Sequence, residues 1–196
     1  MKNIFLTGEI QVGKSTAINR ALAAAKPKVE GFRTLGGPWD EDGGSYVHMV
    51  PADKTEPFGS KNRVFYRRLS GGQPHFQVFE DVFESLGPAL LQPSPACELL
   101  LMDEIGIREA ECTRFHDAIL QALEGEIPVL GVVQIRPGGF LDEIRNHPSV
   151  ELITVNVENR EQIYRMLTDW ILKEVKTEAN WTEKKPAFEN TGETLS

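Results

Sequence analysis

Residues 8–15 read Gly8-Glu9-Ile10-Gln11-Val12-Gly13-Lys14-Ser15, and this stretch decides the fold of the chain. It directly follows an apolar run, Ile4-Phe5-Leu6-Thr7, and it opens a segment whose apolar residues have helical spacing. Glycine, lysine and serine at these spacings form a P-loop, whose backbone N–H groups surround phosphate oxygens. The sequence therefore predicts a strand, a phosphate-binding loop and a helix in direct succession.

Each residue type in the P-loop has a physical task. Gly8 and Gly13 permit the backbone angles and the close approach that the loop needs. Lys14 places a compact positive charge beside the β- and γ-phosphates, and the Ser15 hydroxyl can ligate Mg²⁺. The N-terminus of the following helix adds about half a positive charge. We expect the phosphates of a nucleotide to contact Gly8, Glu9, Ile10, Gln11, Val12, Gly13, Lys14, Ser15 and Thr16.

A second apolar run, Cys97-Glu98-Leu99-Leu100-Leu101-Met102, is typical of a strand buried on both faces, and Asp103-Glu104-Ile105-Gly106 follows it. In a P-loop protein, an aspartate at the tip of a neighbouring parallel strand holds Mg²⁺. We assign that role to Asp103, which resembles the acid of a Walker B strand. Glu104 is well placed to orient or deprotonate an attacking water. Ser15 and Asp103 are thus the predicted metal ligands, and Lys14 and Glu104 are predicted catalytic residues.

An arginine can stabilise the charge that develops on a transferred γ-phosphoryl group. Three arginines follow predicted strands, and ligands of open α/β sheets bind at the carboxyl ends of strands, which favours Arg33 and Arg136 over Arg108. Gln134 is interpreted either as a γ-phosphate sensor or as a buried amide. Trp39 could stack on a base, although packing inside the fold is the favoured interpretation.

The whole chain is acidic, with a net charge of −8 over 196 residues. This balance makes nucleic acid an unlikely partner, because non-specific binding relies on Lys and Arg, although a local basic patch remains compatible with it. The N-terminus runs straight into the first strand, so we expect no signal peptide. The absence of a stretch of 18 apolar residues predicts no membrane association, and a cytoplasmic protein is the natural inference.

Strands and helices alternate along the chain, which predicts an α/β fold with a doubly wound, mostly parallel sheet. We assign one P-loop NTPase domain to residues 1–175 and a polar, mobile tail to 176–196, in which Trp181 or Phe188 could attach the tail to the domain. Between about residues 35 and 74 the pattern breaks into glycines, prolines and short β-like pieces. This region is predicted to be a β-rich insertion after strand two, with strands of its own.

Further local predictions concern the ends and interruptions of elements. Strand two is expected at 29–34 and a helix at 109–124. Gly87-Pro88 should kink or divide the helix at 81–91, and Asn159 with Gln162 could cap the last helix. Leu69-Ser70-Gly71-Gly72-Gln73 matches the signature of ABC-transporter ATPases in its letters. Pro74 follows at once and the spacing to Asp103 is wrong, so we interpret it as a glycine turn within the insertion.

Four pieces of this sequence together resemble the small P-loop nucleoside-triphosphatases first described from thermophiles. They are the octet 8–15, Gly31-Phe32-Arg33-Thr34, Leu100 to Gly106, and Glu158-Asn159-Arg160 before the last helix. The resemblance covers about residues 1–172. It implies a RecA-like sheet and Mg²⁺-dependent hydrolysis of ATP, GTP and other triphosphates with low base selectivity. It also implies nucleotide contacts at the octet and at Leu99, Leu100, Leu101, Met102, Asp103, Glu104, Ile105 and Gly106.

Three functions are compatible with these residues. The leading hypothesis is a nucleoside-triphosphatase in which Glu104 activates water for attack on the γ-phosphorus. The first alternative is a kinase for a small acceptor, with the insertion and its Lys61, Arg63, Arg67 and Arg68 acting as a basic lid. The second is a nucleotide-dependent adaptor or switch whose slow hydrolysis times an interaction with an unknown protein partner.

Overall fold

The computed structural model describes residues 3–53 and 57–175, so the predictions for the tail, including Trp181 and Phe188, lie outside the described residues. The described part holds eight strands and five α-helices. In chain order they are β1 (Asn3–Thr7), α1 (Lys14–Ala25), β2 (Val29–Trp39), β3 (Gly44–Pro51), β4 (Arg63–Ser70), β5 (Gln73–Val78), α2 (Glu80–Leu90), β6 (Leu99–Ile105), α3 (Thr113–Glu124), β7 (Val129–Val133), α4 (Gly139–Arg145), β8 (Val150–Thr154) and α5 (Arg160–Glu174).

All eight strands of the described chain join one sheet in the order β5-β4-β3-β2-β6-β7-β1-β8. The five strands β2, β6, β7, β1 and β8 are mutually parallel, while β3, β4 and β5 continue the sheet beyond β2 as an antiparallel meander. The predicted doubly wound, RecA-like fold with a β-rich insertion is therefore confirmed. The insertion extends the sheet sideways instead of forming a separate lobe.

Side chains alternate between two hydrophobic cores because successive residues of a strand point to opposite faces of the sheet. On one face α1 and α5 cover a core that includes Leu6, Ile18, Leu101 and Leu167. On the other face α2, α3 and α4 cover a larger core, built around Phe5, Phe32, Phe83, Met102 and Phe115. Both faces of the parallel strands are therefore buried, and the chemistry is confined to the carboxyl ends of the strands.

Two predicted element ends differ in the structure. Strand β2 continues past Gly36-Gly37 to Trp39, because antiparallel pairing with β3 carries it across a β-bulge between Gly36 and Trp39. Helix α3 begins only at Thr113, since residues 106–112 form a loop that the Glu109 carboxylate closes onto the backbone N–H of Gly106. Sequence periodicity detects neither a pairing partner nor a side chain that bonds to the backbone.

Three further expectations about the helices and the sheet are corrected. Of the two effects predicted for Gly87-Pro88, division of the helix is wrong, because α2 continues through Pro88 to Leu90, and Gly87 packs directly against the Phe115 ring of α3. Asn159 does not cap α5 with its side chain, which instead bonds backwards to the backbone of Thr154 and Asn156. Finally, the strand that ends in Asp103 is not adjacent to the P-loop strand, because β7 lies between β6 and β1.

Leu69 to Gln73 form the end of β4, a two-glycine turn and the start of β5. Gly71 and Gly72 both have positive φ, at 58° and 76°, as the tight turns of β-hairpins require. The interpretation of this stretch as a glycine turn is confirmed. Within residues 3–53 and 57–175, no helix is long and apolar enough to cross a membrane.

Candidate functional site

The P-loop joins the carboxyl end of β1 to α1, and its backbone has the positive φ angles that a phosphate-binding loop needs. The φ angles are 132° at Gly8, 64° at Gln11 and 105° at Gly13, which is the N-cap of α1. A Cβ atom at position 8 would overlap the carbonyl oxygen of Val155. Gly8 is therefore required both for its backbone angle and for the close approach of the loop to the end of β8.

Lys14 is buried, and its ammonium group is held against the loop itself. Its Nζ donates to the carbonyl oxygens of Gly8 at 2.9 Å and of Glu9 at 2.7 Å. These bonds draw the lysine back over the loop, so that its charge lies at the same end of α1 as the unpaired N–H groups of the first turn. Positive charge and N–H donors therefore converge on one place, which suits an anion.

The Asp103 side chain of β6 is contacted by one side chain from α1 and one from β2. The Ser15 hydroxyl donates to Asp103 Oδ1 at 3.3 Å, and Arg33 Nη1 lies 3.4 Å from Asp103 Oδ2. The parallel pairing of β2 with β6 places Arg33 directly beside Asp103. The register between these two strands therefore brings the arginine to the acid, although 69 residues separate them in the chain.

The charges of this cluster carry a cost of burial. Burial raises the pKa of Asp103, and the nearby Glu104 carboxylate raises it further, while Arg33, Ser15 and Lys14 act in the opposite direction. Burial also lowers the pKa of Arg33, against the attraction of Asp103. For both Arg33 and Asp103, the attraction between the two charges is smaller than the free-energy cost of removing them from water. A cation beside Asp103 and an anionic oxygen beside Arg33 would supply the missing compensation.

The main chain that carries Asp103 and Glu104 is held by Thr34, a residue to which the sequence analysis gave no role. The Thr34 hydroxyl donates to the Asp103 carbonyl oxygen at 3.4 Å and accepts from the Glu104 N–H at 3.1 Å, across a cis peptide bond. These bonds fix where the Glu104 side chain leaves the strand. The signal that could have identified this threonine is its place in Gly31-Phe32-Arg33-Thr34, next to Arg33.

Glu109 is a second residue whose role the sequence analysis missed. Its side chain is 3% exposed, and Oε1 accepts from the Gly106 N–H at 2.6 Å. Burial raises the pKa of Glu109 to about 7. Through its hydrogen bond to the Gly106 N–H, the Glu109 carboxyl group closes the loop that follows Asp103 and Glu104. Glu109 was the first residue of the helix predicted at 109–124, and its place only three residues after Gly106 was the available signal.

Glu109 should make the stability of the protein depend on pH. Its pKa is higher in the folded than in the unfolded chain, where it is about 4.5, so stability is lost as the pH rises from 4.5 to 7 and then stays low. The shift corresponds to about 3 kcal/mol. Glu109→Gln keeps the acceptor oxygen and cannot ionise. In urea titrations at pH 4 and at pH 8, we compare the free energy of unfolding of Glu109→Gln with that of the wild type. We expect this difference to be more favourable to the variant at pH 8 than at pH 4, by about 3 kcal/mol.

The control for this measurement is Glu111→Gln, which changes an exposed acid two residues further along the chain. It should shift the unfolding curve equally at both pH values. If the difference between Glu109→Gln and wild type does not change with pH, the buried carboxyl group is not the source of the pH dependence.

The other predicted residues occupy different places. Arg136 follows β7 and is exposed, and its charge is close enough to Arg108 to contribute to the lowered pKa of that guanidinium. Arg108 lies over the Phe76 ring, at 3.3 Å from its centroid. Gln134 is half-buried and its Oε1 accepts from the Ile107 N–H at 3.3 Å, so both interpretations of this residue stay open. Trp39 is 62% exposed, so the packing interpretation is wrong.

Most of the β6 residues for which nucleotide contacts are predicted have buried side chains. The side chains of Leu99, Leu100, Leu101, Met102 and Ile105 are at most 2% exposed, because they fill the two cores on either side of the sheet. Any contact that these five residues make with a nucleotide would have to come from their backbone. At the end of the strand, the Asp103 carboxylate accepts from the Ser15 hydroxyl, and the contacts at Asp103, Glu104 and Gly106 stay a prediction.

The residues present fit a magnesium ion. Mg²⁺ prefers oxygen ligands in octahedral geometry and is usually held by one or two protein side chains together with substrate phosphates. The 3.3 Å between Ser15 Oγ and Asp103 Oδ1 is close to the separation of about 3 Å between adjacent ligands around that ion. The described residues hold no cluster of three or more His, Cys, Asp or Glu, so a metal cage built by the protein alone is not found there.

Fold and site together define a P-loop protein with a RecA-like sheet, whose phosphate loop faces an acid on a non-adjacent strand. A family model described as NTPase matches residues 3–168, and the chain belongs to this family. The resemblance seen in the sequence is thereby confirmed.

Individual relatives agree with this assignment. The nucleoside-triphosphatase THEP1 of Methanosarcina acetivorans is 28% identical over 179 residues, which cover 89% of this chain and 99% of that protein. The protein of the same name from Methanosarcina barkeri is 30% identical over 170 residues, covering 82% and 92%. The crystal structure of THEP1 from the hyperthermophile Aquifex aeolicus has a TM-score of 0.64 and 24% identity over 87% of this chain and 99% of that chain, which bears on the fold.

Proposed function

We propose that this protein hydrolyses nucleoside triphosphates to the diphosphate and phosphate in a Mg²⁺-dependent reaction with low base selectivity. Membership of the NTPase family supports the general activity. The observation that carries the proposal is that Lys14 and Ser15 at the start of α1 lie close to Asp103 near the end of β6, which pairs with Arg33 of β2. Low selectivity is expected because the P-loop binds phosphates and does not contact the base.

In this mechanism each residue acts on the phosphate chain or on water. The P-loop amides and Lys14 bind the β- and γ-phosphates, and Ser15 and Asp103 would hold the magnesium ion, which neutralises charge on the phosphate oxygens. Glu104, whose backbone Thr34 fixes, accepts the proton of the attacking water. Arg33, only 17% exposed, stabilises charge on the γ-phosphoryl group from the β2 side. Arg136 remains a second candidate for that role.

A small-molecule kinase is the second candidate function, and one cavity favours it. A space of about 250 Å³ lies within the meander, bordered by residues that include Tyr46, His48, Phe58 and Arg63. His48, which borders the cavity, pairs with Leu35 of β2, so the two side chains lie on the same face of the sheet. Leu35 lies two residues after Arg33 and points to the same face as Arg33. The cavity and the cluster at Asp103 are therefore on the same face of the sheet. An acceptor bound there would approach the γ-phosphate from the β2 side.

Phosphate release in the absence of any acceptor tests the proposal. We expect purified protein with ATP, GTP or CTP to release inorganic phosphate at rates that differ by less than about tenfold between the bases, and we expect EDTA to stop the reaction. Malachite-green or coupled fluorescence assays measure it. Phosphate transfer that needs an added metabolite would instead identify a kinase. Tight nucleotide binding with negligible turnover would identify a switch.

A further inference from the structure

Charge is distributed unevenly between the meander and the rest of the chain. Residues 57–79 contain Lys61, Arg63, Arg67 and Arg68 and no Asp or Glu. Since the whole chain carries −8, all other residues together carry −12. The acidic total therefore hides a basic segment, and this segment forms the two outer strands of the sheet, β4 and β5, on the side away from the P-loop strand.

A row of aromatic and cationic side chains crosses the outer part of the meander. Strand pairing places Trp39 of β2 opposite Ser45 of β3, Ser45 opposite Arg67 of β4, and Arg67 opposite Phe76 of β5. Directly paired residues of neighbouring antiparallel strands lie on the same face of the sheet. This face of the sheet is the one that α2 covers. Phe65 lies two residues before Arg67 on β4, so both side chains point to the same face, and Phe65 packs into the core below α2.

Contacts between the side chains extend this row. The Arg67 guanidinium lies over the Trp39 ring, 5.1 Å from its centroid, and the Arg108 guanidinium lies over the Phe76 ring at 3.3 Å. The order is thus Trp39, Arg67, Phe76, Arg108, with rings and guanidinium groups alternating. We refer to these four residues as the stacking row.

The rings of the stacking row are available to a ligand. Trp39 is 62% exposed and Phe76 is 39% exposed, whereas the four buried phenylalanines of the core below α2 and α3 are at most 1% exposed. The Nε atom of Arg67 is buried and has no hydrogen-bond partner among the described residues. Asp40, the acid next to Trp39, is bound by the Tyr66 hydroxyl at 2.8 Å. Tyr66 precedes Arg67 on β4 and points to the opposite face of the sheet.

We propose that the stacking row binds single-stranded nucleic acid. Exposed aromatic rings and arginine planes on an antiparallel sheet stack unpaired bases, and neighbouring cations hold the phosphates. Three strand spacings separate Trp39 from Phe76, or about 14 Å, which accommodates two or three nucleotides. A duplex offers no free base faces to the rings and should bind more weakly. The proposal concerns a surface outside the nucleotide site and does not depend on the function proposed above.

Fluorescence anisotropy with labelled twelve-nucleotide oligouridylate and oligothymidylate tests this inference on the full chain, in low salt and without nucleotide. We expect both single strands to bind, with an affinity that falls as salt increases, and a hairpin duplex to bind at least about fivefold more weakly. Tighter binding of oligouridylate would identify RNA as the preferred ligand, and tighter binding of oligothymidylate would identify DNA.

Matched variants locate the binding face. Trp39→Ala and Arg67→Gln should each weaken binding by about fivefold or more. Arg68→Gln removes the same charge one residue away on the opposite face, and Phe58→Ala removes an exposed ring that stacks on His48 elsewhere on the meander. Both of these controls should change affinity less than about twofold. Phosphate release and thermal unfolding by all four variants should match the wild type, which would show that the fold and the nucleotide site are intact.

Several results would overturn the proposal. They are the absence of single-strand binding in low salt, equal binding of the duplex, or equal losses in Arg67→Gln and Arg68→Gln. Competition by poly-glutamate as effective as that by unlabelled oligonucleotide would also overturn it, since that would identify a general anion surface without base stacking.

Discussion

Lys14→Ala is expected to abolish phosphate release, with kcat lower by at least about 10²-fold. The lysine is held over the P-loop by the carbonyl oxygens of Gly8 and Glu9, so alanine removes the one ammonium charge that this loop holds at the phosphate end of α1. The magnitude follows from the cost of losing a preorganised charge beside an oxygen that becomes more negative in the transition state. Steady-state phosphate release at saturating ATP and Mg²⁺ measures the effect.

Because Lys14 is buried, the comparison must show that the variant folds. Circular dichroism and thermal unfolding of Lys14→Ala should remain close to those of the wild type. The control is Lys173→Ala, which removes an exposed ammonium group from the last turn of α5 and should leave turnover unchanged. A folded Lys14→Ala protein with wild-type turnover would show that the reaction takes place elsewhere on the molecule.

Glu104→Gln should separate binding from chemistry. The amide has the same size as the carboxylate but cannot accept a proton, so we expect kcat to fall by about 10²–10⁴-fold. Affinity for a nonhydrolysable ATP analogue should change less than about threefold, since Lys14, Ser15 and Asp103 remain. The backbone bond from position 104 to the Thr34 hydroxyl is also retained. Single-turnover phosphate release and calorimetric titration give the two quantities.

The matched control is Glu151→Gln on the exposed part of β8, which makes the same chemical change away from the site. Its kinetics should equal those of the wild type. If Glu104→Gln turns over normally, another group must activate the water. A large loss of affinity for the analogue would instead indicate that Glu104 supports the metal or the phosphates directly.

The sequence predicted the parallel core of the fold because its signals are local. A glycine-rich loop between an apolar strand and an amphipathic helix specifies its own geometry, and uninterrupted apolar runs such as the one before Asp103 identify strands buried on both faces. The predicted metal ligands Ser15 and Asp103 followed from the same two motifs, and the structure brings their side chains into contact.

The remaining features depend on pairing between distant segments. Arg33 reaches Asp103 through the register of β2 against β6, and no periodicity in either strand states that register. The extension of β2 to Trp39 likewise depends on β3, and the order of β1, β7 and β6 depends on how the helices cross over the sheet. Glu109 was assigned to a helix from periodicity alone. Its carboxyl group in fact bonds to the Gly106 N–H and holds a loop there, and side-chain bonds of this kind leave no periodic pattern.

The two outermost strands of the sheet govern how the protein behaves at high concentration. An unpaired strand edge invites a second chain to add to it, and natural sheets prevent this with proline, charges and short strands. Strand β5 is six residues long and contains Pro74, which lacks a backbone N–H, while β8 is five residues long and carries the exposed charge of Glu151. We therefore expect both edge strands to discourage the addition of a strand from another molecule.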